Sequence, residues 1–140
     1  MSIEEKQRAI IDEFSMFDDW MEKYEYIIDL GKDLPQLLEN QKDHTQIIEG
    51  CQSRVWLKSE CVDDKMSFFA DSDAIITKGI IALLIRVLNN ETPQNIASSN
   101  LFFIDEIGLK EHLSPTRANG LLSMVKRMKM DAINMVNSGK

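Results

Sequence analysis

From Ala74 to Leu88 the chain is apolar nearly all the way round a helical circumference, and a helix without a polar face has to be enclosed by the rest of its fold. A buried central helix is therefore expected, with Asp71-Ser72-Asp73 ahead of it offering side-chain oxygens as caps. Candidates to enclose it stand on both sides. Val55, Leu57 and Cys61 alternate with Trp56, Lys58 and Glu60; beyond Asp63-Asp64, the residues Met66, Phe68 and Ala70 alternate with Ser67 and Phe69. That pattern predicts a β-hairpin with Cys61 on its apolar phase. The β-leaning stretch Thr45 to Glu49 is a third-strand candidate, which leaves Gly50-Cys51-Gln52 as a turn and puts Cys51 at a loop tip.

The flanking segments read as helices. Ile10, Phe14 and Phe17 recur at helical spacing between Ile3 and Phe17, and Asp18-Asp19 is placed to cap a second helix carrying Trp20, Met21, Tyr24, Ile27 and Ile28. Gly31 is placed to end it, giving an antiparallel helix pair. Leu34-Pro35 opens a short helical turn through Leu37 and Leu38. Thr92-Pro93 and Ser114-Pro115 each read as a cap followed by a first helical residue, the latter before a long helix with Leu122, Val125, Met128 and Ala132 toward the core. Asn100 to Leu113 reads as a loop with one helical turn.

A chain of 140 residues suits one domain, 1–140, with no room for a second. With 44% hydrophobic and 28% charged residues it has too much apolar material for a disordered segment. The net charge of −7 argues against a nucleic-acid surface, and all of it resides in residues 1–39, which hold 11 acidic and 4 basic side chains. No apolar run reaches the roughly 20 residues a membrane span needs, Arg86 interrupting the longest. The start, Met1 to Glu5, lacks the basic and apolar parts of a signal peptide, so the expected location is cytoplasmic. Cys51 and Cys61 are then expected to be free thiols.

No hydrolase triad, phosphate-cradling loop or dinucleotide fingerprint occurs. His44 and His112 share no motif with either cysteine, so neither a metal nor an organic cofactor is expected. The informative stretch runs from Ile47 through Gly50-Cys51-Gln52-Ser53-Arg54 to Leu57. A glycine ahead of a cysteine at a turn frees the backbone and leaves the sulfur side open, as a nucleophilic or sulfur-carrying thiol requires. A structural cysteine satisfies the same pattern.

Gly50-Cys51-Gln52-Ser53-Arg54-Val55-Trp56-Leu57 resembles the cysteine-loop motif of the SufE family, the sulfur acceptors of iron–sulfur cluster assembly. Three further blocks agree in order and spacing: Ala70-Asp71-Ser72-Asp73-Ala74 with Lys78-Gly79, Thr92-Pro93-Gln94-Asn95-Ile96, and Leu113-Ser114-Pro115-Thr116-Arg117-Ala118-Asn119-Gly120-Leu121. The resemblance implies an α/β (α+β) fold like that of SufE and the IscU-type scaffolds, a small antiparallel sheet packed against helices. It also implies that Cys51 takes a sulfane sulfur from the persulfide of a pyridoxal-phosphate cysteine desulfurase of the SufS kind, activates that enzyme, and delivers the sulfur to a SufBCD-type scaffold.

Around Cys51 the resemblance assigns supporting or partner-contact roles to Gly50, Gln52, Ser53, Asp73 and Arg117. Arg117 has three comparable roles open to it: stabilising the thiolate, meeting the desulfurase, or pinning a carboxylate within the chain. Asp73 has two, capping the central helix or holding the cysteine loop. Trp56 is expected to pack. Two rival readings stand beside the carrier, an IscU-type cluster scaffold and a regulatory partner of a desulfurase that carries no sulfur. A scaffold asks for several thiolates, and only Cys51 sits where one serves. Monomer and homodimer are both compatible with the sequence.

Overall fold

The computed structural model describes residues 2–34, 37, 39–42, 46–48 and 53–138, with the backbone alone for Gln41. Helices α1 (Ile3–Phe14) and α2 (Trp20–Gly31) are followed by a 3₁₀ turn (Glu39–Gln41) and by the hairpin of β1 (Val55–Val62) and β2 (Lys65–Ser72). Then come α3 (Ile75–Leu88), α4 (Pro93–Ala97), α5 (Phe103–Glu106), α6 (Leu109–His112) and α7 (Pro115–Ser138). The result is mostly helical with a two-stranded antiparallel sheet.

Helix α3 is the buried axis, with ten of its fourteen residues shielded from solvent. Its one charged exposed residue, Arg86, donates to both oxygens of Glu13 on α1, and Tyr26 on α2 donates to the same carboxylate. The Arg86 hydrogen bond is the main cause holding the Glu13 carboxyl below its ordinary value. Helix α2 lies directly on α3. A Cβ on Gly79 would stand 2.1 Å from the Ile27 carbonyl oxygen, and one on Gly31 would stand 2.9 Å from the Gly79 nitrogen. Gly31 does end α2, but the residue after it has an ordinary right-handed φ of −68°, so close helix packing rather than a left-handed cap explains the glycine.

The hairpin pairs Val55 with Ser72 through to Val62 with Lys65. Asp63 and Asp64 turn it with φ of 54° and 62°, the left-handed pair that a two-residue hairpin turn requires. Val55, Leu57, Met66, Phe68 and Ala70 are fully buried, and β2 packs on α3. Cys61 is exposed rather than buried: it lies at the open end of β1, beside Val62 at 66% exposed, while Met66 opposite it on β2 is fully buried. Of the expected third strand, the described residues form a bridge between Ile47 and Trp56. Thr45 and Glu49 lie outside the described residues, as do Gly50, Cys51 and Gln52.

The helix starts at Asp19, Thr92 and Ser114 are as expected: each side chain accepts a backbone N–H of the first turn that follows. Helices α1 and α2 meet through the rings of Phe14, Phe17 and Tyr26, but the main packing partner of α2 is α3. The stretch expected as a loop with one helical turn forms two, α5 and α6, separated by Gly108 at φ 75°. Buried Gln7 anchors the start of α5, donating to the Asn100 carbonyl at 3.1 Å and accepting the Phe103 N–H at 3.1 Å. On α7 the core face is Leu121, Met124, Met128 and Ala132; Leu122 is 49% exposed and Val125 only partly buried. No helix of the described residues is long and apolar enough to cross a membrane.

Candidate functional site

The chain is fixed by identifiable contacts on both sides of the cysteine block, at Ile48 before it and at Arg54 after it. On the leading side, the Ile48 N–H donates to the Val55 carbonyl and the Leu57 N–H to the Gln46 carbonyl, both at 2.8 Å. Ile48 is buried, so an apolar anchor reinforces the two backbone bonds.

On the trailing side Asp73 accepts the Arg54 N–H at 3.1 Å, while its own N–H donates to the Arg54 carbonyl at 3.3 Å. Ser72 Oγ donates to that same carbonyl at 2.8 Å. Asp73 therefore does not cap α3. The N-cap position belongs to Ala74, which has no capping side chain, and Ser72 Oγ accepts the Ala74 N–H at 3.2 Å instead. Of the two roles open to Asp73, this geometry matches the holding of the chain that leaves the cysteine block.

Asp71, next along, is engaged by Lys42 at 2.6 Å and Lys78 at 3.2 Å. Burial opposes its ionisation, but hydrogen bonds from Lys42, the Ser72 N–H and Lys78 outweigh it and hold the carboxyl below its ordinary value. Lys42 also lies 5.0 Å from the centre of the Trp56 ring, so Trp56 is a packing residue with a cation on its face. No sequence signal marks Lys42 as part of this setting. Its charge stands in a polar connector, and only the fold brings it to Asp71.

Arg117 occupies the first turn of α7, where its N–H donates to Ser114 Oγ at 3.3 Å. Its exposed guanidinium reaches the Tyr24 hydroxyl at 3.5 Å. Among the described residues no carboxylate pairs with it. Ser53 and Arg117 line one narrow crevice with Thr77, Thr116 and the buried Ile80 and Met124. Its volume of about 10 Å³ accommodates no more than about one water. Ser53 and Arg117 are thus brought together; Asp73 stands beside them through Arg54.

Cys61 is remote from this place. It lies six positions along the extended strand from Val55, roughly 20 Å at the usual rise. His112 is stacked on Trp20 with ring centroids 4.2 Å apart, and its Nδ1 lies 2.8 Å from the Gly108 carbonyl, a structural setting.

A family model described as SufE, Fe–S metabolism associated domain, matches residues 8–132. An uncharacterized SufE-like protein of Rhizobium etli is 42% identical over 128 residues, which cover 88% of this chain and 86% of that one. Another from Rhizobium meliloti is 38% identical over 128 residues, covering 88% and 91%. The solution structure of a hypothetical protein from Thermus thermophilus aligns with a TM-score of 0.79 over 95% of this chain and 97% of its own. At 17% identity that likeness concerns the fold alone.

Proposed function

The chain belongs to the SufE family, whose domain is associated with iron–sulfur metabolism, and on that premise we propose that Cys51 is a sulfur acceptor. Its donor is the persulfide of a pyridoxal-phosphate cysteine desulfurase of the SufS kind, and its recipient a SufBCD-type assembly scaffold in the cytoplasm. The chain acts as one domain over residues 1–140, an accessory protein that activates the desulfurase rather than an enzyme in its own right.

The Cys51 thiolate attacks the outer sulfur of the desulfurase persulfide. One sulfur–sulfur bond forms as the other breaks, and the desulfurase cysteine leaves as a thiolate, so no oxidant or reductant is consumed. The step needs a thiolate, whereas an ordinary thiol titrates near ~8.5. The observation that best supports this reading is the crevice shared by Ser53, two residues after Cys51, and the Arg117 cation, which no described carboxylate neutralises. A hydroxyl and a guanidinium favour an anionic sulfur over a neutral one. Gly50 and Gln52, on either side of Cys51 in the sequence, are assigned support or partner contact.

Alanine production by a cysteine desulfurase, followed with increasing amounts of this protein, tests the proposal. Wild type and Cys61→Ser stimulate turnover several-fold, and Cys51→Ser does not. Equal stimulation by Cys51→Ser would show a regulator that carries no sulfur.

A further inference from the structure

Ile47 faces Trp56 across a bridge whose two hydrogen bonds come from its neighbours, Gln46 and Ile48. In an antiparallel pair of this kind the residue between the bonds turns its own N–H and C=O away from the partner strand. The Ile47 carbonyl is therefore directed away from β1, and Arg127 Nη1 on α7 donates to it at 3.2 Å.

The guanidinium is itself oriented. Its Nε lies 3.2 Å from Asp131 Oδ1, one helical turn further on, and Asp131 Oδ2 accepts from Ser59 Oγ of β1 at 2.6 Å. The contacts close a circuit from β1 through Asp131 and Arg127 to Ile47 and back to β1. The side chains of Arg127 and Asp131 are 28% and 20% exposed, so solvent screens the pair less than it would an open surface pair. Ten residues earlier the same helix carries Arg117, roughly 15 Å along its axis. One rigid element thus touches both flanks of the cysteine block, Ser53 through the Arg117 crevice and Ile47 through Arg127.

We infer that Arg127 is a positioning residue for sulfur transfer: held by Asp131 and Ser59, it fixes the strand segment that leads into the cysteine block and so sets how readily Cys51 is reached. The inference rests on the function proposed above.

The test pairs hydrogen exchange at the Ile48 amide with the alkylation rate of Cys51 by iodoacetamide, using Cys61 labelling and thermal unfolding as controls. Arg127→Ala raises both Ile48 exchange and Cys51 alkylation about tenfold or more, the factor expected for loss of a charge-assisted hydrogen bond. Arg127→Lys keeps a donor for the Ile47 carbonyl and returns both rates to within about twofold of wild type. Cys61 labelling stays put, and the unfolding temperature falls by only the few degrees that one such bond accounts for. Unchanged Ile48 exchange overturns the inference, as does faster exchange without a change at Cys51, which marks a purely structural residue. A rise at Cys51 that merely tracks a larger fall in the unfolding temperature also overturns it. Failure of the carrier reading shows elsewhere, as a wild-type Cys51 that gains no sulfur from a desulfurase.

Discussion

Where α2 crosses α3, backbone meets backbone, and the Gly79 position has no room for even a methyl group beside the Ile27 carbonyl. At the rim of the cysteine block the chain is held quite differently, by Asp73 and Ser72 on Arg54 and by Arg127 on Ile47, through side chains that reach from neighbouring elements. Close packing is all-or-none, since a clash moves whole helices. Polar clamps are separable, each contributing about 1 kcal/mol, so they can be loosened without loss of the fold. Substitutions in the packed crossing are therefore expected to unfold the protein, and those at the rim to leave the fold intact.

The sharpest way to break that distinction is Gly79→Ala. Forcing α2 and α3 apart should cost about 3 kcal/mol, well beyond the helix-propensity gain of about 1 kcal/mol that alanine brings. Urea titration reads the loss. An unchanged midpoint would mean that the helices slide freely, and the contrast with the rim would fail.

Asp73→Ala sits on the other side of the comparison. Removing an exposed acceptor of one backbone N–H should lower stability by no more than about 1 kcal/mol, yet slow sulfur uptake markedly, with Asp73→Asn intermediate. Uptake kinetics and urea midpoints on the same preparations separate the two effects. A large stability loss with normal uptake would transfer Asp73 to the packed frame.

A smaller, pH-dependent effect belongs to Glu13. Its folded carboxyl is held below the ordinary value of 4.5, chiefly by Arg86, so the stabilisation is present above that value and is lost as pH falls through the folded one. The stability difference between wild type and Glu13→Gln should therefore be greatest near neutrality and shrink below about pH 4.5, as paired denaturation curves would show. A difference that grows on acidification would reverse the sign.

The frame is readable because its signals are local. An apolar run with no polar face, two aspartates between alternating segments, and Thr-Pro and Ser-Pro helix starts each carry their own structural meaning. Where distant contacts decide, local patterns mislead. The start of α5 is anchored by Gln7, bonded to Phe103 across 96 positions of sequence, and no local pattern announces that. Leu121 and Leu122 are adjacent and equally apolar, so helical spacing alone admits Leu122 to the core. Gly120 and Met124 facing the core settle the phase in favour of Leu121. Asp73 is a cap by local rules, but the Arg54 backbone claims it. The cysteine block is legible as a site only through its family motif, since one glycine and one cysteine do not distinguish a carrier from a buried thiol.

Cys61→Ser should have the smallest effect of all, leaving stability and uptake alike unchanged, because the residue is exposed at the far end of β1. It is also the control for the most direct measurement of the central claim. The protein is incubated with a cysteine desulfurase and L-cysteine, and the intact mass and its peptides are read by mass spectrometry. Sulfur acceptance by Cys51 requires one added sulfur, about 32 Da, on the peptide containing Cys51 in wild type and Cys61→Ser, and none in Cys51→Ser. Sulfur on Cys61 instead, or no adduct on wild type beside an active desulfurase, would contradict it.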